Sequence, residues 1–238
     1  MDSPPPQIRD VPESDESATV LGPGARWRLA LEVLFLFLIV PATLWGVRAF
    51  GGVVPVIPLL ASLGIGTFLF LWRRAPGEMG RWLRAPWPPK EVRRVTLQFG
   101  IATFLLTLYV HYLEPKNFLA LPRQEPLIWG LIVFTYPFLS VLPQELFFRG
   151  FFFHRYGRIF PTRSSCILVS AAAFGFAHAF YGNPIAVCLS VIGGGLFAWT
   201  FARTRSLTLV IAEHALYGVA LFTVGLGQYF FSSGVQVL

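Results

Sequence analysis

Seven apolar runs, each long enough to cross a bilayer, constrain this chain more than any other feature of it. An α-helix rises about 1.5 Å per residue and the hydrocarbon core is about 30 Å thick, so roughly 20 apolar residues make a span. The runs lie at 29–47, 52–72, 95–113, 126–153, 165–181, 184–202 and 206–230. Of the 238 residues 55% are hydrophobic and 13% charged. Soluble domains carry about 25% charged residues, so here the bilayer is the solvent. The fold class expected is an all-α, polytopic transmembrane bundle of about seven helices, one domain over residues 26–238. Residues 1–25, rich in Pro, Ser, Asp and Glu, lack the apolar side chains of a core and are expected to be a disordered cytoplasmic tail. The fourth and seventh runs exceed the bilayer thickness, which calls for tilt, a break or an extension beyond it.

The densest cationic segment, Arg73, Arg74, Arg81, Arg84, Lys90, Arg93 and Arg94, joins the second and third runs. The positive-inside rule puts it, and with it the N-terminus, in the cytoplasm. Alternation then places Arg155, Arg158 and Arg163, and also Arg203 and Arg205, on the same side. The C-terminus is expected outside. Because the basic residues sit between apolar runs, the net charge of +7 reports membrane orientation and implies no nucleic-acid partner. Cys166 and Cys188 have no paired spacing that implies a disulfide or a thiolate cluster.

An ionisable group inside a membrane helix costs several kcal/mol, so it faces the bundle interior and marks a site or a buried pair. The filter leaves Glu145 and Arg149 in the fourth run, His178 in the fifth, and Glu213 and His214 in the seventh. Counted from the basic end, Glu145, His178 and His214 lie about 16, 21 and 12 Å deep, which is close enough for one shared site. Glu145 and Arg149 share a helix face at i, i+4. Glu213 points about 100° away from His214 and has Arg203 or Arg205 as candidate partners. The glycines 193–195 and the small residues Ala171, Ala172, Ala173, Gly175 and Ala177 are expected to let two helices pack closely.

A carboxylate flanked by imidazoles can activate water and stabilise an oxyanion, and hydrolysis of a membrane-associated peptide or protein fits that set. Paired aspartates are excluded, because Asp2, Asp10 and Asp15 are the only ones in the chain. Neither a GxSxG nor an HExxH motif occurs. No cofactor is required. Zinc held by Glu145, His178 and His214 is the alternative, although no helix supplies two ligands at i, i+4.

Three segments carry a resemblance. The fourth run reads Pro143-Gln144-Glu145-Leu146-Phe147-Phe148-Arg149-Gly150. The fifth reads Phe174-Gly175-Phe176-Ala177-His178, and the seventh Glu213-His214-Ala215-Leu216-Tyr217-Gly218. In order and separation they resemble the EExxxR, FxxxH, and HxxxN or HxxxD motifs of the CAAX-processing and bacteriocin-processing (CPBP, or ABI) intramembrane endopeptidases, over roughly residues 95–230. The resemblance implies a helical bundle whose glutamate and histidine activate water while a second histidine and an asparagine serve the oxyanion. Mapped onto this chain it makes Glu145 the base, His178 its partner, His214 the oxyanion donor and Arg149 the anchor. Two positions depart: Gln144 stands in place of the first glutamate and Gly218 in place of the asparagine. Tyr217 and Asn183 are the candidate replacement donors. A catalytically inactive member that binds membrane partners is the rival reading, and a proton-coupled transporter a more distant one.

Overall fold

The computed structural model describes residues 21–231. Among them there is no β-strand, and seven helices are long and apolar enough to span a membrane. They are α1 Pro23–Ala49, α2 Val56–Arg74, α4 Pro89–Leu113, α5 Pro126–Ile159, α6 Arg163–Tyr181, α7 Pro184–Thr204 and α8 Leu207–Val224. The expected tail falls mostly outside the described residues, and its last three, Pro23, Gly24 and Ala25, form the first turn of α1. The long seventh run stops as a helix at Val224, where Gly225 adopts φ +117. A side chain at Gly225 would collide with the backbone carbonyl of Asn117, so the turn requires glycine twice over.

An eighth helix, α3 Pro76–Arg84, sits inside the basic connection. Pro76 opens it, and Met79 and Trp82, three residues apart, are buried while Arg81 and Arg84 stay at the surface. Trp82 packs on Phe201 with ring centres 5.6 Å apart. The basic end is further tied by two carboxylates. Glu32 accepts two hydrogen bonds from Arg155, at 2.5 and 2.7 Å, and one from Tyr156 at 2.9 Å. Glu91 accepts from Arg94 and Arg203. At the opposite end Glu114 accepts from Tyr109, Asn117, Gln228 and Tyr229, and that bond pushes the Tyr229 hydroxyl up to about 12.

The core is formed mainly by α6, α7, α8 and the second half of α5, joined by Leu29 and Phe37 of α1, Leu71 of α2, and Met79 and Trp82 of α3. The other spans and the first half of α5 leave large apolar side chains exposed, such as Leu97, Phe104 and Phe134, as lipid-facing helices do. α6 and α7 lie closest together. Cβ atoms added at Gly175 or Gly194 would meet Val191, Phe174 and Ala171, so the expected small-residue packing is present.

The fourth run spans the excess length as one helix of 34 residues, with i→i+5 turns at Pro137–Val141 and Leu146–Phe151. Pro137 and Pro143 lack the N–H that an α-helical ladder needs, and wider turns let the helix continue past them. Ser170 of α6 donates to the carbonyl of Phe148 inside the second of these turns at 3.1 Å, satisfying a group the wider turn releases.

Candidate functional site

Glu145 lies between Pro143 and the second wide turn of α5, and it is fully buried with Arg149 and Glu213. Its Oε1 accepts from Nδ1 of His214 at 2.7 Å. With Glu145 ionised, that bond puts the proton of a neutral imidazole on Nδ1 and leaves Nε2 as the acceptor. Nε2 lies 3.3 Å from the hydroxyl of Tyr136. The Glu145 Oε2 is 3.1 Å from Nε of Arg149, an ion-pair distance without an aligned hydrogen bond, and that oxygen has no other partner. Arg149 Nη2 donates to the Gly194 carbonyl at 3.1 Å, and its guanidinium lies 4.7 Å from the Phe174 ring centre. The close approach of α7 at its glycines thus also presents a carbonyl to a buried cation.

The contacts of the two histidines differ from expectation. His214, not His178, reaches Glu145. His178 donates Nδ1–H to the carbonyl of Phe174 at 2.7 Å, which leaves its Nε2 without a proton in the neutral ring. The Phe174 ring touches both imidazoles, with centres 4.6 Å from His178 and 5.5 Å from His214. Phe197 stacks on His214 at 4.5 Å. His178 opens the short turn at the end of α6 away from the basic loops, so it lies farther from the basic end than Glu145 and His214.

A cavity of about 550 Å³ is lined by Tyr136, Ser140, Gln144, His178, His214 and Tyr217 among apolar residues of α2, α4, α5, α7 and α8. Ile57, Leu105 and Leu139 on its wall are exposed on the apolar flank of the bundle, so the cavity opens sideways. Glu145 does not border it; its carboxylate lies behind His214. Gln144 does border it, and donates its amide to the carbonyl and hydroxyl of Ser140 at 3.0 and 2.8 Å. Tyr217 lines the cavity and its buried hydroxyl has no hydrogen-bond partner. Asn183 is not at the cavity. It caps α7 by accepting from Ala186 N–H and donates to the Tyr229 carbonyl.

Glu213 also departs from expectation. Arg203 pairs with Glu91, and Arg205 lies over Phe153 and Phe201, so neither is its partner. Its carboxylate is near Thr200, Arg94 and Arg149 without an aligned hydrogen bond. A second and larger recess, about 1660 Å³, lies at the basic end among Arg28, Arg81, Arg84, Arg158 and Arg205, remote from Glu145.

The residues the sequence reading missed are Tyr136 and Ser140. With Gln144 they form a polar series at i, i+4 and i+8 within an otherwise apolar run, the one signal that could have found them. The zinc alternative named Glu145, His178 and His214 as ligands. His214 Nδ1 is engaged by Glu145 and His178 Nδ1 by a carbonyl, and among the described residues no three His, Cys, Asp or Glu side chains gather closely enough to share an ion.

No curated protein and no solved structure matches the chain significantly. Residues 125–220, which hold Glu145, His178 and His214, match the family model described as "Type II CAAX prenyl endopeptidase Rce1-like". Over that stretch this seven-span helical chain is similar to the CAAX-protease, or CPBP, family of intramembrane endopeptidases.

Proposed function

We propose that the chain hydrolyses a peptide bond of a membrane-associated substrate, with Glu145 and His214 acting as one unit. The observation that carries this reading is the 2.7 Å bond between a fully buried carboxylate and an imidazole whose other nitrogen faces a cavity open to the bilayer. Nε2 of His214 takes a proton from water, and the resulting hydroxide forms the new C–O bond at the scissile carbonyl. Glu145 stabilises the imidazolium through Oε1, while Arg149 lies beside its other oxygen. The C–N bond then breaks and the imidazolium returns its proton to the leaving amine. Tyr217 and His178 both line the cavity, and their polar groups are the candidates to meet a developing oxyanion. No step uses a metal ion.

The protein reconstituted in lipid vesicles should cleave members of a membrane-anchored peptide library. Cleavage should vanish in His214→Ala and persist with a strong chelator present. A chelator-sensitive activity would move the reading to the zinc alternative. The amide of Gln144 at the cavity favours the second reading, an inactive family member that binds such chains, and peptide capture without cleavage in the same vesicles would establish it.

The N-terminus and the 73–94 connection are proposed to be cytoplasmic, since the arginines of α3, the ends of α2 and α5 and the start of α6 gather at one end of the bundle. A cysteine placed at Gly80 should resist an impermeant thiol probe in intact cells and react once they are opened. Labelling from outside would reverse the orientation.

A further inference from the structure

Gly218 and Tyr136 fit each other. Gly218 is buried on α8, and a Cβ built there would overlap the phenol end of Tyr136, including its hydroxyl. The ring of Tyr136 therefore occupies the volume that any side chain at position 218 would need. It arrives from α5, one residue before the first wide turn, and rests edge-on against Phe222 with ring centres 5.5 Å apart. From there its hydroxyl reaches Nε2 of His214 at 3.3 Å. Positions 214 and 218 share one face of α8 at i, i+4, so the notch opens directly beside the imidazole. His214 is then held at both nitrogens, by a carboxylate at Nδ1 and a phenol at Nε2.

We propose that Tyr136 is a positioning residue for His214 and that the absent side chain at Gly218 is what admits it. The phenol donates to Nε2, selects the tautomer protonated at Nδ1, and yields that nitrogen when water enters from the cavity. The ring of His214 is stacked on Phe197. That contact leaves the ring free to slide in its own plane. The two polar contacts, at opposite edges, fix the remaining freedom. The role deepens the hydrolase reading, while the contact itself is testable without any activity.

The experiment labels histidine with ¹⁵N in the full-length protein in lipid nanodiscs and assigns the His214 signals by their loss in His214→Gln. Tyr136→Phe keeps the ring in the notch and removes only the hydroxyl. The Nε2 signal of His214 should shift, with melting changed by no more than a few degrees, and kcat should fall about tenfold to a hundredfold at nearly constant KM. Gly218→Ala should produce the same spectral change with the phenol intact, because the added carbon displaces it. Gly218→Asn alone should be at least as harmful. Tyr136→Ala combined with Gly218→Asn should regain tenfold or more over Gly218→Asn, since the amide can then use the vacated volume. Unchanged His214 signals in both Tyr136→Phe and Gly218→Ala would overturn the proposal whatever the activity. A shifted signal in a protein that cleaves nothing would uphold the contact and sink the hydrolase reading instead.

Discussion

Glu145→Gln is expected to reduce peptide cleavage by about 10² to 10⁴-fold while the bundle remains folded. The substitution keeps the shape of the side chain and removes its charge. An amide can accept from His214 Nδ1 through oxygen or donate to it through nitrogen, whereas the carboxylate can only accept. Once the amide donates, the imidazole proton moves to Nε2, and the nitrogen that faces the cavity can no longer take a proton from water. The imidazolium also loses the charge that stabilises it. Since Glu145 has no edge on the cavity, KM should change little and the loss should fall on kcat. Initial rates at saturating peptide, with helicity followed on the same samples, decide the matter. Full cleavage by a well-folded Glu145→Gln protein would return the carboxylate to a structural role as partner of Arg149.

Arg149→Ala should be the most destabilising single change in the chain, by about 3–5 kcal/mol. It strands a carboxylate with no exposed surface, removes the cation lying over Phe174, and leaves the Gly194 carbonyl without its donor. Combining Arg149→Met with Glu145→Gln should recover most of that loss, because both charges leave together and His214 Nδ1 keeps an acceptor. Cleavage should stay absent in the double variant. Stability and activity would thus separate, which a purely structural ion pair would not allow. Denaturant unfolding in mixed micelles measures the first quantity; a single variant as stable as the wild type would refute the buried-pair account.

The architecture was legible because membrane helices announce themselves through length and hydropathy alone, and each expected span overlaps its helix. α3 was not, since nine residues with two inward side chains are lost in a basic connection. Glu145, His178 and His214 were legible as polar groups in apolar runs, but their pairing was not. Which imidazole meets the carboxylate depends on the rotations of α5 and α8, and single residues do not encode those. Tyr136 is the clearest case. Nine residues of regular α-helix would turn it roughly 180° from Glu145, onto the opposite face. The i→i+5 turn at Pro137–Val141 unwinds part of that angle, so that both side chains touch one imidazole. A tyrosine in an apolar run also raises no alarm by composition.

For the hydrolase proposed above, the sideways opening of the cavity sets the units in which substrate is sensed. A chain anchored in the bilayer arrives by diffusion in two dimensions, so what the site samples is a mole fraction among lipids and not a concentration in solution. Diluting the suspension with buffer leaves that fraction unchanged, whereas adding lipid or detergent at constant protein and peptide lowers it and spreads the two partners over separate particles. Occupancy is then governed by how crowded the surrounding membrane is with anchored chains, and any process that enriches them locally acts on the rate as directly as a change in the site itself.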